Sequence, residues 1–246
     1  MSSLAGKVAI VTGSSQGIGA GIAERLAADG ASVVVNYSRS VEHANAVVQR
    51  IVATGGKAVA VRADVSKPDD IPLLIDAAIE TFGRLDILVN NVGVYKVDSL
   101  DTLTAESFDE HFHLNVRGLL LATQAAARVL PAGGVIVNIS SGLAKSPYPM
   151  VHVYSATKGA VNVLTRTLGM ELGPRNIRVV GIAPGFVTTE GNAESAASMT
   201  DVLVGKTPLG RVGQPRDIAA AVSFAVSDDA AWVTGSTIDV AGGMVF

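Results

Sequence analysis

No cysteine occurs among the 246 residues, which removes a disulfide framework, a thiolate nucleophile and any thiolate-bound metal at once. Also missing is any run of 18 or more apolar residues, so no segment reads as a bilayer-spanning helix. Met1 to Gly6 has neither the basic nor the apolar region of a secretory signal, and a cytoplasmic location is the default expectation. No block of like charge reads as an interaction tail. Lys and Arg total 19 against 22 Asp and Glu, a net charge of −3 with a pI near 5.8, which counts against nucleic acid as a partner. Of the four histidines, His111 and His113 are two apart, a poor spacing for one helical face, and His43 and His152 lie in unrelated segments, so no metal site is expected. No composition shift or internal repeat divides the chain, and 48% apolar residues is ample for one core. A single domain over 1–246 is expected.

What the chain does have is alternation. Strand-length apolar runs at 7–12, 31–37, 58–62, 86–89, 135–140, 177–182 and 237–240 alternate with helical patterns at about 41–53, 69–82, 108–130, 155–173 and 215–227. This rhythm predicts an α/β fold: a doubly wound, seven-stranded parallel sheet with helices on both faces. Between 186 and 210 the pattern weakens into Thr, Ser, Ala and Gly, as expected of a flap over a site.

The first strand runs into Gly13-Ser14-Ser15-Gln16-Gly17-Ile18-Gly19 and then an apolar-periodic helix. Glycines let backbone amides approach a pyrophosphate, and the helix directs its positive N-terminal end at the anion. The second strand ends in Asn36, Tyr37, Ser38 and Arg39. A carboxylate there would suit a free ribose 2′-hydroxyl; a neutral set closed by a cation suits a 2′-phosphate, which favours NADP(H) with NAD(H) as the alternative. Asp64-Val65 follows the third strand, where an adenine amino group can be bonded or a helix capped. Asn90-Asn91-Val92-Gly93 follows the fourth, suited to a ribose contact or to a tight turn. Asn115 interrupts an apolar stretch, either as a satisfied core amide or as part of a proton path. The fifth strand ends at Ser140-Ser141 in the crevice where open parallel sheets place ligands, and no histidine stands ready to make Ser141 a nucleophile.

Tyr154 and Lys158 are four residues apart, on one face of the helix expected from 155. A cation beside a phenol favours the phenolate and draws the tyrosine pKa toward the working range, so that it can give a proton to a carbonyl oxygen or take one from an alcohol.

Taken together, these motifs resemble the short-chain dehydrogenase/reductase family over essentially the full length, in particular bacterial 3-oxoacyl-carrier-protein reductases and related carbonyl reductases. Thr12-Gly13-x3-Gly17-Ile18-Gly19 is similar to the family's cofactor motif, Asn90-Asn91-Val92-Gly93 to its Asn-Asn-Ala-Gly, and Asn115, Ser141, Tyr154 and Lys158 to its catalytic tetrad. The resemblance implies a Rossmann-type fold in which Tyr154 is the proton donor, Ser141 positions the substrate oxygen, and Lys158 lowers the tyrosine pKa while binding nicotinamide ribose. Asn115 is implied to hold a water linking Lys158 to solvent. Pro184-Gly185 leads to Val187 and Thr189, implied to meet the carboxamide, with Thr189 also able to reach phosphate. Val92 replaces the usual alanine, Gln16 stands where NADP-using relatives often have arginine, and Ala241-Gly242-Gly243 lacks a frequent acidic residue. The expected cofactor contacts are therefore Gly13, Ser15, Gln16, Gly17, Ile18, Gly19, Asn36, Tyr37, Ser38, Arg39, Asp64, Val65, Asn91, Gly93, Tyr154, Lys158, Pro184, Gly185, Val187 and Thr189.

The function expected is NADPH-dependent reduction of a ketone or aldehyde of small size, reversible as an alcohol dehydrogenase. Alternatives are a sugar or alcohol dehydrogenase, a carrier-bound 3-oxoacyl reductase, and a non-catalytic nucleotide sensor. Arg128 and Arg175 are available to an acidic carrier protein, but Pro131-Ala132-Gly133-Gly134 has no basic cluster. Leu143, Tyr148, Met150, Val153 and the segment from Asn192 to Met199 are expected to line a mainly apolar pocket. The family's usual assembly implies a homotetramer; Ala156, Gly159 and Ala160 fit a close-packed helix face, which an intrachain core would use as well.

Overall fold

Val8, Ala9, Ile10 and Val11 have no side chain that needs water, and all four are buried in β1 (Val8–Val11). Val8 and Ile10 pack in one apolar cluster, with Leu74, Ala122 and Leu172, whereas Ala9 and Val11 pack in another, with Ile22, Val47 and Val222. The alternation is the pleat of a strand. Apolar residues on both sides of it demand cover on both sides, which is the condition of a parallel sheet.

The computed structural model describes residues 4–192 and 200–244. Six further strands join β1: β2 (Ser32–Tyr37), β3 (Lys57–Arg62), β4 (Ile87–Asn90), β5 (Val135–Ile139), β6 (Arg178–Pro184) and β7 (Ser236–Val240). They form one seven-stranded sheet in the order β3-β2-β1-β4-β5-β6-β7, and every pairing is parallel. Helices α1 (Gly17–Ala28), α2 (Val41–Ala53) and α7 (Pro215–Val226) supply one apolar cluster. Helices α3 (Ile71–Phe82), α5 (Leu119–Ala127) and α6 (His152–Leu172) supply the other. The fold is the Rossmann-type, doubly wound sheet that the alternation predicts. Because β1 lies between β2 and β4, the winding reverses there, and a crevice opens at the carboxyl ends of β1 and β4.

The strands fall within a residue or two of their expected bounds, and three other features differ. The helix carrying Tyr154 begins at His152, not 155, so Tyr154 lies inside its first turn. The sixth strand runs two residues past its expected end at 182: Pro184 is the last residue of β6, where its missing N–H costs nothing, and the Gly185 N–H donates to Val240 O. The long helix expected over 108–130 is three pieces. α4 (Ala105–Phe112), capped by the Thr104 hydroxyl, passes through a π-helical turn at His113–Gly118 and continues as α5, ending at Ala127. A π turn widens the helix by one residue and re-aims what it carries; here it carries Asn115. Of the expected flap, Glu190–Asn192 form a 3-10 turn and 200–205 are helical, while 193–199 lie outside the described residues.

Candidate active site

A cleft of about 790 Å³ opens at the switch point, bordered by the loop after β1, the ends of β2 and β3, the loop after β4, and the π turn. Gly13 and Gly17 have φ of +60° and +58°, which glycine adopts freely, and the turn they make aims the first amides of α1 into the cleft. A Cβ on Gly19 would lie 2.4 Å from Gly13 O and 2.5 Å from the Asn91 amide nitrogen, so only glycine lets helix and turn approach this closely. The Gly17 N–H donates to a carboxylate oxygen of Glu190 at 3.2 Å. An anion of the chain itself thus stands where the helix end favours negative charge, as a pyrophosphate would.

Polar side chains around this turn are occupied with backbone. Asn36 is 1% exposed; its Oδ1 accepts from Gly13 N at 2.9 Å and its Nδ2 donates to Ala63 O at 2.9 Å. Asn91 Nδ2 donates to Thr12 O and Gly13 O at 2.9 and 3.1 Å, while the Thr12 hydroxyl accepts from the Asn91 amide. Asn90 is buried as well, donating to Thr123 Oγ1 and Asn138 Oδ1. Asn36 and Asn91 border the cleft, and their side-chain amide nitrogens brace the backbone around it, Asn36 at Ala63 O and Asn91 at Thr12 O and Gly13 O.

Ser15, Gln16, Ile18, Tyr37, Ser38, Val65, Gly93 and Thr189 also line the cleft, as expected. So do Arg39 and Asp64, which face one another. Among the described residues Arg39 makes no hydrogen bond or ion pair, leaving its guanidinium available to an anion. Burial raises the Asp64 pKa, but the Ser66 hydroxyl and amide, Lys67 and Arg39 outweigh it and hold the carboxyl below its ordinary value. Its Oδ1 accepts from Ser66 N at 3.0 Å and Ser66 Oγ at 2.7 Å, a local turn and not a helix cap. Beyond the expected residues, Glu110, His113 and Arg117 line the cleft, Arg117 donating from the π turn to Ser66 O at 2.8 Å, and the Glu190 carboxylate, from beyond β6, meets Gly17 N beside it.

Pro184, Gly185 and Val187 lie outside this cleft, at the end of β6; Val187 is buried, pairs with Gly213 and accepts from Asn192 Nδ2. Thr189 and Asn192 close the same turn, with Thr189 N donating to Asn192 Oδ1 at 2.7 Å.

At the reacting end, β5 delivers Ser141 and α6 delivers Tyr154 and Lys158. The Ser141 hydroxyl accepts from Leu143 N at 3.2 Å and lies near enough to the Tyr154 phenol to lower its pKa. Lys158 is 4% exposed and donates from Nζ to Ile139 O at 2.8 Å, with Nζ 5.7 Å from the Tyr154 ring centre. Burial drives the Lys158 pKa down to about 8. Burial also drives Tyr154 above its ordinary value, opposed by Ser141 and assisted by Tyr148. The expected downward pull of Lys158 on Tyr154 is therefore not what governs this geometry, because the ammonium is tied to a carbonyl beneath the ring and both charged forms are desolvated. The Asn115 side chain is satisfied: Oδ1 accepts from Val94 N at 2.8 Å, and Nδ2 donates to Val94 O and Thr157 Oγ1 at 3.0 and 3.1 Å. Thr157 in turn donates to Tyr154 O, so the π turn, the loop after β4 and the start of α6 are one bonded unit. A Cβ on Gly93 would sit 3.3 Å from Asn115 Oδ1 and 3.4 Å from Lys158 Nζ, which places both beside the cleft.

The model of a family described as enoyl-(acyl carrier protein) reductase matches residues 13–245. An uncharacterised oxidoreductase of Methylorubrum extorquens is 52% identical over 99% of this chain and all of its own. The chain belongs to the short-chain dehydrogenase/reductase family. Versicolorin reductase 1 of Dothistroma septosporum, another relative, is 41% identical across 98% of this chain and 96% of its own. A short-chain dehydrogenase of Burkholderia cenocepacia, solved in complex with NADP, superposes with a TM-score of 0.92 at 41% identity and 98% coverage of each chain. Membership in the short-chain dehydrogenase/reductase family makes the chain an oxidoreductase, and among the described residues no helix is long and apolar enough to cross a membrane.

Proposed function

We propose that this protein reduces a ketone or aldehyde to an alcohol with NADPH, and runs in reverse as an alcohol dehydrogenase. The observation that carries the reading is the Ser141–Tyr154 hydroxyl pair above a buried Lys158, beside a cleft whose helix end already holds a carboxylate. When bound, the cofactor supplies the hydride that forms the new C–H bond. Ser141 holds the carbonyl oxygen, and Tyr154, kept protonated by burial, gives that oxygen its proton as the C=O π electrons become the alcohol O–H bond. Lys158 lies beneath the phenol to bind ribose hydroxyls and stabilise the phenolate as it forms, and Asn115 positions α6 against the loop after β4. Gly13, Gly17 and Gly19 would hold the pyrophosphate, and Arg39 a 2′-phosphate.

The likeness to versicolorin reductase 1 supports a reductase, and the NADP in the Burkholderia structure supports that cofactor. A free ketone is favoured over a carrier-bound acyl group, because Arg128 stands alone and Arg175 donates to Ala127 O. A homotetramer is favoured by the outer face of α6, where Val163 and Met170 are exposed and nothing lies within 4 Å of a Cβ on Gly159.

Titration of NADPH and NADH on wild type and Arg39→Ala tests the cofactor: NADPH preference that collapses about 10- to 100-fold in the variant is expected, and equal NADH binding would overturn it. Tyr154→Phe tests the reaction. It should bind NADPH as wild type does and lose about 10²–10⁴-fold in turnover; unchanged turnover would remove Tyr154 as proton donor.

A further inference from the structure

Beside the reacting end stands a pair of hydroxyls that the proton transfer does not use. The Tyr95 and Tyr148 phenolic oxygens are 2.8 Å apart, and the residues are 47% and 50% exposed. Tyr95 follows Val94 in the loop after β4, and Tyr148 lies in the segment before α6. The Tyr95 ring meets the Tyr154 ring edge to face, with centroids 4.9 Å apart at 85°, and Tyr148 is near enough to raise the Tyr154 pKa. The pair therefore borders the space a substrate must enter to reach the Tyr154 hydroxyl.

Both loops are held in place. Asp98 N donates to Met150 O at 2.8 Å, Asp98 and Val151 form a parallel bridge, and Ser107 Oγ donates to Asp98 Oδ2. Lys96 N donates to the buried His111 ring at 3.3 Å. Met150 has a φ of +72°, a conformation that a non-glycine residue keeps only where its surroundings impose it. Donors fixed in this way recognise a ligand without a cost of ordering.

A count of protons shows what the pair can offer. Two phenols carry two hydroxyl protons, and the bond between them uses one. The accepting phenol keeps its own proton, and neither hydroxyl has another hydrogen-bond partner among the described residues. Burial and the bond to Tyr148 push the Tyr95 pKa well above the ordinary phenol range, so it stays a donor at any working pH.

We propose that Tyr95 and Tyr148 form a second recognition point, donating a hydrogen bond to a substrate oxygen other than the reacting carbonyl. The substrate class is a ring ketone with a further hydroxyl or carbonyl group, its ring lying against the exposed edges of the two tyrosines. The pocket wall is then not the mainly apolar surface that Leu143, Met150 and Val153 suggest.

This proposal rests on the carbonyl-reductase reading, and one experiment separates the two. 1-Tetralone and its 5-, 6- and 7-hydroxy derivatives are assayed with NADPH on wild type, on each single Tyr→Phe variant and on Tyr95→Phe/Tyr148→Phe. The double variant keeps both rings and loses both hydroxyls. Wild type should prefer one hydroxylated isomer over 1-tetralone by about three- to tenfold in kcat/KM, the size of one neutral hydrogen bond. The double variant should lose that ratio, chiefly through KM, with the single variants between. A ratio that is the same in wild type and double variant, or the absence of any preferred isomer, overturns the recognition point while leaving the reductase reading intact. No turnover of any ketone by wild type overturns both.

Discussion

At the glycine turn of the cleft, the neighbouring amide and hydroxyl side chains hold backbone in place; at the reacting end, Tyr154 and Lys158 carry displaced pKa values. Asn36, Asn91, Thr12 and Ser14 all bond main-chain groups around Gly13, so the groups presented to an anion are amides of a braced turn. Ser141, Tyr154 and Lys158 instead present side chains, two of them with pKa values moved by burial. The difference follows from the two tasks. An anion needs fixed donors, which backbone provides without rotamer freedom, whereas a proton transfer needs a group whose protonation can change. A substitution at the first end should act through geometry, and one at the second through chemistry and pH.

The largest effect that sharpens this contrast is expected from Lys158→Met. Turnover should fall by about 10²-fold or more, with stability moving the opposite way. The folded pKa of about 8 lies below the ordinary 10.5, so between those values the unfolded chain binds more protons than the folded one. Stability of the wild type therefore rises with pH through that window, and the cost of charging buried Lys158 is fully present below it. The variant should lack the rise and gain up to about 3 kcal/mol near neutrality before the lost bond to Ile139 O is counted. Denaturant unfolding at about pH 7 and about pH 9.5 measures it; the same slope in both proteins would break the claim that burial tunes this end.

Gly19→Ala probes the other end. Its Cβ meets Gly13 O and the Asn91 amide at distances no real contact tolerates, so the turn must shift. NADPH affinity should fall about tenfold or more and stability by about 1–3 kcal/mol, read by titration and thermal melting. An alanine accepted at no cost would mean that the turn is not the rigid half of the pair.

The smallest effect belongs to Glu190→Gln. Its carboxylate sits on Gly17 N, where a pyrophosphate would displace it, and removing the charge should tighten NADPH binding about two- to fivefold at low salt and less at high salt. Weaker binding in the variant would show that Glu190 assists the cofactor.

Much of this was legible in the sequence, and the legible parts share a cause. Val8 to Val11, the glycines at 13, 17 and 19, and the four-residue step from Tyr154 to Lys158 each act within one or two turns of chain, where stereochemistry links residue type to conformation directly. The π turn at Asn115 was not legible, since nothing in His113-Leu114-Asn115-Val116 by itself opposes an ordinary helix. The amide is drawn to Val94, 21 residues away, and to Thr157, 42 residues away, and the helix carries the extra residue that brings it there. Arg117 enters the cleft for the same reason. Asn36 and Asn91 were recognisable as site residues, yet whether an amide binds ligand or backbone depends on which carbonyls the neighbouring strands leave within reach.

The sequence by itself determined the alternation of strand and helix, the parallel two-sided sheet and the order of the motifs, because periodicity of 2.0 or 3.6 and the freedom of glycine are properties of short segments. Only the tertiary structure decided that Tyr95 meets Tyr148, that Glu190 caps Gly17 and that Lys158 is desolvated beneath Tyr154. Those pairings join residues 53, 173 and 4 positions apart, and their energies depend on the distance and burial set by the packed sheet, not on spacing along the chain.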